Sequence, residues 1–266
     1  NLMDELEPYA VVLVDRVKSR IFVAALGEIE EVAHSDDNGR RVRHVKTTGS
    51  DHAESSNRYQ KKADNQIRAN LREVISKLKP VVNARHLRRV VLAGTPEITA
   101  ELQKLLPARL ALSIIGSIDI AMIASAADVL RRTRPVAEKF ERETEVEKVN
   151  HIVTAAAKNS EAVIGLGRTL KAVNSNSVWQ LIYAGGLFLP GHECPKCTAL
   201  FSRRVNRCTY CGSRVQPVDN VVERAVQHAR RKRAKIEVVT GRASAALQTA
   251  GGIGALLKTH REAVGA

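Results

Sequence analysis

Ala234-Lys-Ile-Glu-Val-Val-Thr240, then Ala246-Leu-Gln-Thr-Ala-Gly-Gly-Ile-Gly-Ala-Leu-Leu-Lys258, is the stretch on which the fold turns. Ile236 to Thr240 is short, β-branched and apolar, which predicts a strand. Ala243 to Thr249 predicts a helix, and Gly251 to Leu257 a Gly-rich return strand. Upstream the alternation continues. Glu161 to Val173 reads as helix, Val178 to Tyr183 as strand and Val221 to Lys232 as helix. Such alternation predicts a parallel or mixed sheet covered by helices. Trp179 lies in one of these strands and is expected in the core. Gly165-Leu-Gly167 echoes a phosphate loop, but with no strand before it reads as a helix irregularity.

The first half begins with strand signals at Tyr9 to Val14 and Arg20 to Ala25, separated by the polar turn Asp15 to Lys18. Glu28 to His34 and Val42 to Thr47 read as a hairpin around Ser35-Asp-Asp-Asn-Gly39, whose Asn-Gly supplies positive φ angles. Thr47 to Ser56 is polar and reads as a loop. A helix follows from Arg58, with Ala63, Ile67, Leu71, Val74 and Leu78 forming one apolar stripe, and Pro80 is expected to end it. Arg89 to Gly94 predicts a buried strand, Thr95-Pro-Glu97 a helix start, and Leu110 to Ile115 another strand. From Ile118 to about Lys158 the pattern is helical, interrupted at Pro135. The fold expected is therefore two mixed-sheet α/β domains, residues 1–135 and 136–266, joined by a long helix.

All four cysteines fall in one segment: Cys194-Pro-Lys-Cys197, ten residues, then Cys208-Thr-Tyr-Cys211-Gly212. Each Cys-x-x-Cys forms a knuckle that aims two thiolates at one point, and two knuckles complete a closed tetrahedral site of the structural type. A Cys₄ zinc ribbon over residues 190–215, holding one structural Zn²⁺, is therefore expected. Disulfides are the alternative. The opening Asn1 to Leu6 is mixed and acidic rather than signal-like, and a reducing cytoplasm disfavours them. The scattered histidines have no metal spacing.

The net charge is +14, and it is segregated. Arg40 to Arg89 holds 14 Lys/Arg against four acids, and Cys194 to Lys235 holds 11 against two. A solubilising surface needs charge but not segregation; concentrated blocks recruit polyphosphate partners. The expected RNA contacts are Arg40, Arg41, Arg43, Lys46, Arg58, Lys61 and Lys62 in the first block. In the second they are Arg203, Arg204, Arg207, Arg230, Arg231, Lys232 and Arg233. Aromatics are only 3% of the chain, so base stacking is not expected to dominate. Apolar runs are too short to span a bilayer. The expected setting is cytoplasmic, with no membrane partner and no small-molecule substrate. The chain does not open on Met, so an upstream segment is expected.

The 234–258 stretch resembles the C-terminal end of the archaeal and eukaryotic class I release factors and Pelota. Arg89-Val-Val-Leu-Ala-Gly-Thr-Pro96 is similar to the strand and turn of that family's middle domain, and the helix from Arg58 to the one after its catalytic loop. A cysteine insertion in the last domain also occurs in some members. The resemblance is closest to the bacterial release-factor-like proteins and covers nearly the whole chain as middle plus C-terminal domains. It implies a tRNA-shaped factor at the ribosomal A site, with ribosomal RNA and a translational GTPase as partners. True release factors carry Gly-Gly-Gln at the loop tip, where glycines permit close approach and Gln positions water. The corresponding residues here, near His52-Ala-Glu-Ser-Ser56, have neither. Ser55, Ser56 and Gln60 are the only candidates for a water-holding group. The function expected is thus ribosome rescue or hibernation. Its rivals are peptidyl-tRNA hydrolysis by a diverged loop and an RNA-binding scaffold outside the A site.

Overall fold

The computed structural model describes residues 6–35, 52–158 and 161–258, with the backbone alone at 52–60 and 62. The chain divides into two compact units, Asn1–Glu141 and Arg142–Ala266. Each is a mixed sheet flanked by helices.

In the first unit β1 (Tyr9–Val14), β2 (Ser19–Ala25) and β3 (Glu28–Ser35) form an antiparallel meander. The chain then runs through α1 (His52–Ala84) to β4 (Val90–Ala93), and through α2 (Pro96–Leu105) and α3 (Ala108–Ala111) to β5 (Ile114–Ile118). The sheet order is β3-β2-β1-β4-β5, with β4 parallel to both β1 and β5. All six residues of β1 are buried, so both sheet faces need cover. Ala10, Val12 and Val14 pack with Leu71, Val74 and Leu78 of α1 and Leu102 of α2. Tyr9, Val11 and Leu13 pack with Val129 and Ala137 of α4 (Ala126–Ala157). This is the two-faced burial of a central strand in a mixed sheet, with one antiparallel and one parallel neighbour.

Helix α4 runs on into the second unit. There follow β6 (Ala162–Ile164), α5 (Leu166–Asn174) and β7 (Val178–Ala184), and then an insertion of three short strands, β8 (Gly191–Glu193), β9 (Leu200–Phe201) and β10 (Gln216–Val218). The unit closes with α6 (Val221–Arg231), β11 (Lys235–Val239), α7 (Gly241–Thr249) and β12 (Ile253–Leu257). The main sheet is β11-β7-β12-β6, with β11 parallel to β7 and the remaining pairs antiparallel. Leu170 of α5 and Val222 of α6 cover one face; Ile152 of α4 and Leu247 of α7 cover the other.

Several expectations are corrected. Pro80 and Pro135 lie inside α1 and α4 rather than ending or interrupting them. A buried pair straddles each proline, Leu78 with Val82 and Val129 with Ala137, and that packing outweighs the roughly 3 kcal/mol a helix-interior proline costs. Helix α1 begins at His52, so residues 52–57 are helix rather than loop; Ala53 and Glu54 are good helix formers. Helix α4 begins at Ala126, not Ile118. The segment from Leu110 opens as the end of α3, and the strand starts only at Ile114. Ala162–Ile164 is a strand, held by β12, so a strand does precede Gly165-Leu-Gly167. Trp179 is half-exposed, with Lys235 Nζ 4.6 Å from its ring centroid. The Val42 to Thr47 half of the expected hairpin lies outside the described residues.

Gly94 ends β4 at φ +136°, and a Cβ there would stand 2.1 Å from the carbonyl oxygen of Val14. Replacing Gly94 with Ala therefore combines backbone strain with a clash against a central strand. It should destabilise the fold by about 3 kcal/mol or more, read as a drop in thermal midpoint. An unchanged midpoint would refute the close approach.

Candidate metal centre and RNA-facing surface

The insertion is a three-stranded ribbon of order β10-β8-β9. Its two turns are built alike. In the first, Thr198 N–H donates to Cys194 C=O at 2.8 Å and Cys194 N–H to Ala199 C=O at 2.9 Å. In the second, Gly212 N–H donates to Cys208 C=O at 2.9 Å and Cys208 N–H to Ser213 C=O at 2.8 Å. Each turn closes on a left-handed residue four places after its first cysteine, Thr198 at φ +59° and Gly212 at +75°. Glycine takes that conformation freely; Thr198 is held in it, and its hydroxyl donates to Cys197 C=O at 2.7 Å.

The two knuckles bring all four Sγ atoms within 4.8 Å of one another. Cys194 and Cys211 Sγ lie 3.4 Å apart, as do those of Cys197 and Cys208. Both of these pairs join different knuckles. A disulfide needs about 2.05 Å, so these are free thiols. Tetrahedral coordination with metal–sulfur bonds of about 2.3 Å spaces sulfurs at about 3.8 Å, inside the observed range. The four residues thus fit a closed thiolate site for a thiophilic cation. The Ser213 amide and hydroxyl hold the Cys211 thiol down at about 6, while Cys197 is pushed up to about 12; the Ala199 amide favours its thiolate, but burial and the neighbouring sulfurs outweigh it. Of these two sulfurs one ionises readily and the other resists joining it, which is the charge problem a divalent cation solves. Cys194, Ala199, Cys208 and Val215 make a small core, and Asn174 of α5 brackets Leu200 with two 2.9 Å hydrogen bonds.

Around this core the expected cations Arg203, Arg204 and Arg207 are exposed. So are Arg230 and Arg231 at the end of α6, and Lys232 and Arg233 just beyond. Among the described residues none of these seven has a carboxylate partner. Lys61 is exposed on α1. Arg40, Arg41, Arg43 and Lys46, and the side chains of Arg58 and Lys62, lie outside the described residues. Ser55, Ser56 and Gln60 stand within helix α1, and their side chains are likewise outside them. Composition hid one residue, Tyr210. It is 57% exposed between the second pair of cysteines, its ring 6.3 Å from that of Phe201, and Arg207 and Arg214 bridge across the same turn. The scarcity of aromatics argued against stacking for the chain as a whole; only position on the ribbon singles this one out.

Replacing Cys194 and Cys208 together with Ser removes one ligand from each knuckle. Binding of Co²⁺, followed by its tetrahedral thiolate absorption, should be lost. In the wild type it should weaken as pH falls, because the metal must displace thiol protons. Equal Co²⁺ spectra for the two proteins would exclude this site.

Comparisons with known proteins bear on the fold. A ribosome-bound archaeal Pelota, from a model with ABCE1, shares 14% identity over 94% of this chain and 61% of its own, with TM-score 0.58. Dom34 of S. cerevisiae, described as a translation termination-like factor that interacts with Hbs1, shares 11% over 94% of this chain and 62% of its own, with TM-score 0.51. The likeness is one of fold, and the chain spans less than two thirds of either protein. No curated protein matches by sequence. The sequence model of bacterial archaeo-eukaryotic release factor family 10 matches residues 1–138, half of the chain. With the Pelota-like fold beneath that match, the chain belongs to bacterial archaeo-eukaryotic release factor family 10.

Proposed function

We propose that this protein binds the ribosome as a tRNA-shaped factor at the A site, in rescue or hibernation rather than termination. The observation that carries the reading is the set of seven exposed cations, without carboxylate partners among the described residues, on a fold shared with Pelota and Dom34. Exposed cations with no internal counter-charge keep their full attraction for phosphate. On this reading residues 1–135 act as the middle domain and 136–266 as the C-terminal domain. Ribosomal RNA is the partner, and a translational GTPase is the expected deliverer. Cys194, Cys197, Cys208 and Cys211 hold Zn²⁺, which fixes the ribbon and does no chemistry.

Peptide release is not part of this function. The His52–Ser56 segment lacks Gly-Gly-Gln, and Ser55, Ser56 and Gln60 belong to a helix. Helical backbone is a poor substitute for a glycine tip that must enter a crowded RNA pocket beside the ester.

Ribosome co-sedimentation should fall steeply with salt. The triple reversal Arg230→Glu, Arg231→Glu, Arg233→Glu should weaken it on the order of tenfold or more. The same reversal at Lys139, Arg142 and Lys148 should matter less; Lys148 is already paired with Glu237 at 2.6 Å. Equal losses would favour diffuse attraction and an RNA-binding scaffold outside the A site.

Stalled ribosomes carrying peptidyl-tRNA should retain their peptide when the protein is added. Ribosome-dependent release above background would restore the hydrolase reading, with Gln60→Ala as the first variant to examine.

A further inference from the structure

A cavity of about 430 Å³ opens in the first unit where α1 ends. Its floor is apolar: Val82, Leu87 and Leu110, each no more than 7% exposed, belong to the core beneath the sheet's helical cover. Its rim is cationic: Lys79, Arg88 and Arg109 line it together with His86. No carboxylate lines it. Among the described residues none of the three cations has a carboxylate partner, whereas their neighbours do: Lys77 pairs with Glu73 at 3.0 Å and Arg85 with Glu30 at 2.9 Å. Asn83 and Ser113 add neutral hydrogen-bonding groups.

We infer that this cavity binds a nucleoside monophosphate unit, with its phosphate on Lys79, Arg88 and Arg109 and its base against Val82, Leu87 and Leu110. The volume lies within the range of about 300–1,000 Å³ typical of small-ligand sites. A phosphate monoester near neutral pH carries about −1.5 to −2 charges and a strand's phosphodiester about −1, and cations without carboxylate partners among the described residues answer either. Three positive charges around one opening repel one another, and a phosphate relieves that repulsion while leaving the apolar floor for the ring. Neither a bare anion nor an apolar ligand uses both halves of the cavity. The unit can come from an RNA strand or from a free nucleotide. The inference rests on the proposed RNA partner only for the first of these sources.

The test is hydrogen–deuterium exchange on the full chain with adenosine 5′-monophosphate, adenosine or a short oligoadenylate. AMP should protect residues 79–88 and 107–113, and adenosine should protect them far less. Protection by oligoadenylate but not AMP would assign the site to an RNA strand, and protection by AMP alone to a free nucleotide. The variant Lys79→Ala, Arg88→Ala, Arg109→Ala should weaken the effective ligand at least about tenfold. The single Arg109→Ala variant serves if the triple one does not fold. No protection by either phosphate ligand, or undiminished protection in a folded variant, overturns the inference. Free protein and free ligand are used, so this result and ribosome co-sedimentation fail independently.

Discussion

Burial of β1 on both faces is the constraint from which the first unit follows. Tyr9 to Val14 are at most 3% exposed, six residues in a row. A strand so placed cannot lie at an edge or face water, and its backbone must be paired on both sides, as it is by β2 and β4. Side chains alternate across a strand, so the even positions demand one helical layer and the odd positions another. Helices α1 and α2 supply the first and α4 the second. Arg89 marks the edge of this arrangement. It is 6% exposed, pairs with Glu141 and Glu7, and lies with its guanidinium 5.5 Å from the Phe140 ring centroid. A buried charge of this kind is tolerable only with its partners in place.

How much of this could be read beforehand depended on whether a segment's pattern was set locally. The strands at Tyr9, Arg20, Val178 and Ile236 were legible because runs of β-branched and apolar residues are rare elsewhere. The prolines misled, because propensity counts a missing N–H but not the buried residues on either side. Strand β6 was invisible. Three residues of Ala-Val-Ile carry no period, and their pairing partner lies some 90 residues away, at Gly254 to Leu256. The clustering of the cysteines was legible, since two knuckles at this spacing bring four thiols together. The cavity at the end of α1 was not, because Lys79, Arg88 and Arg109 come together only once α1 and α3 are placed.

The ribbon and its cations depend on one another. The Cys197 thiol resists ionising while Cys211 yields readily, and Arg203, Arg204 and Arg207 are placed only as well as the turns that carry them. An ordered metal core would fix Tyr210 and the arginines as a surface of definite shape. At the end of α6 the cations have a second source of order. Arg230 and Arg231 sit in the last helical turn, where the helix dipole favours positive charge. The same residues can therefore serve the helix and an external phosphate, and no conflict arises between stability and binding there.

The ribbon leaves and rejoins the second unit at one place, because β8 and β10 pair at Gly191 and Val218. Between those two residues the ribbon forms a sheet of its own and adds no strand to the main sheet, while Leu200 anchors it in the core beside α5 and α6. In evolutionary terms this is a cassette. A lineage could exchange its cysteine-bearing tip by changes confined to one connection, so long as the Leu200 anchor stays. The β7–α6 junction accepts two neighbouring chain ends, and α5 and α6 accept the Leu200 anchor. The metal requirement of such a protein would then be a property of the cassette and not of the domain that hosts it.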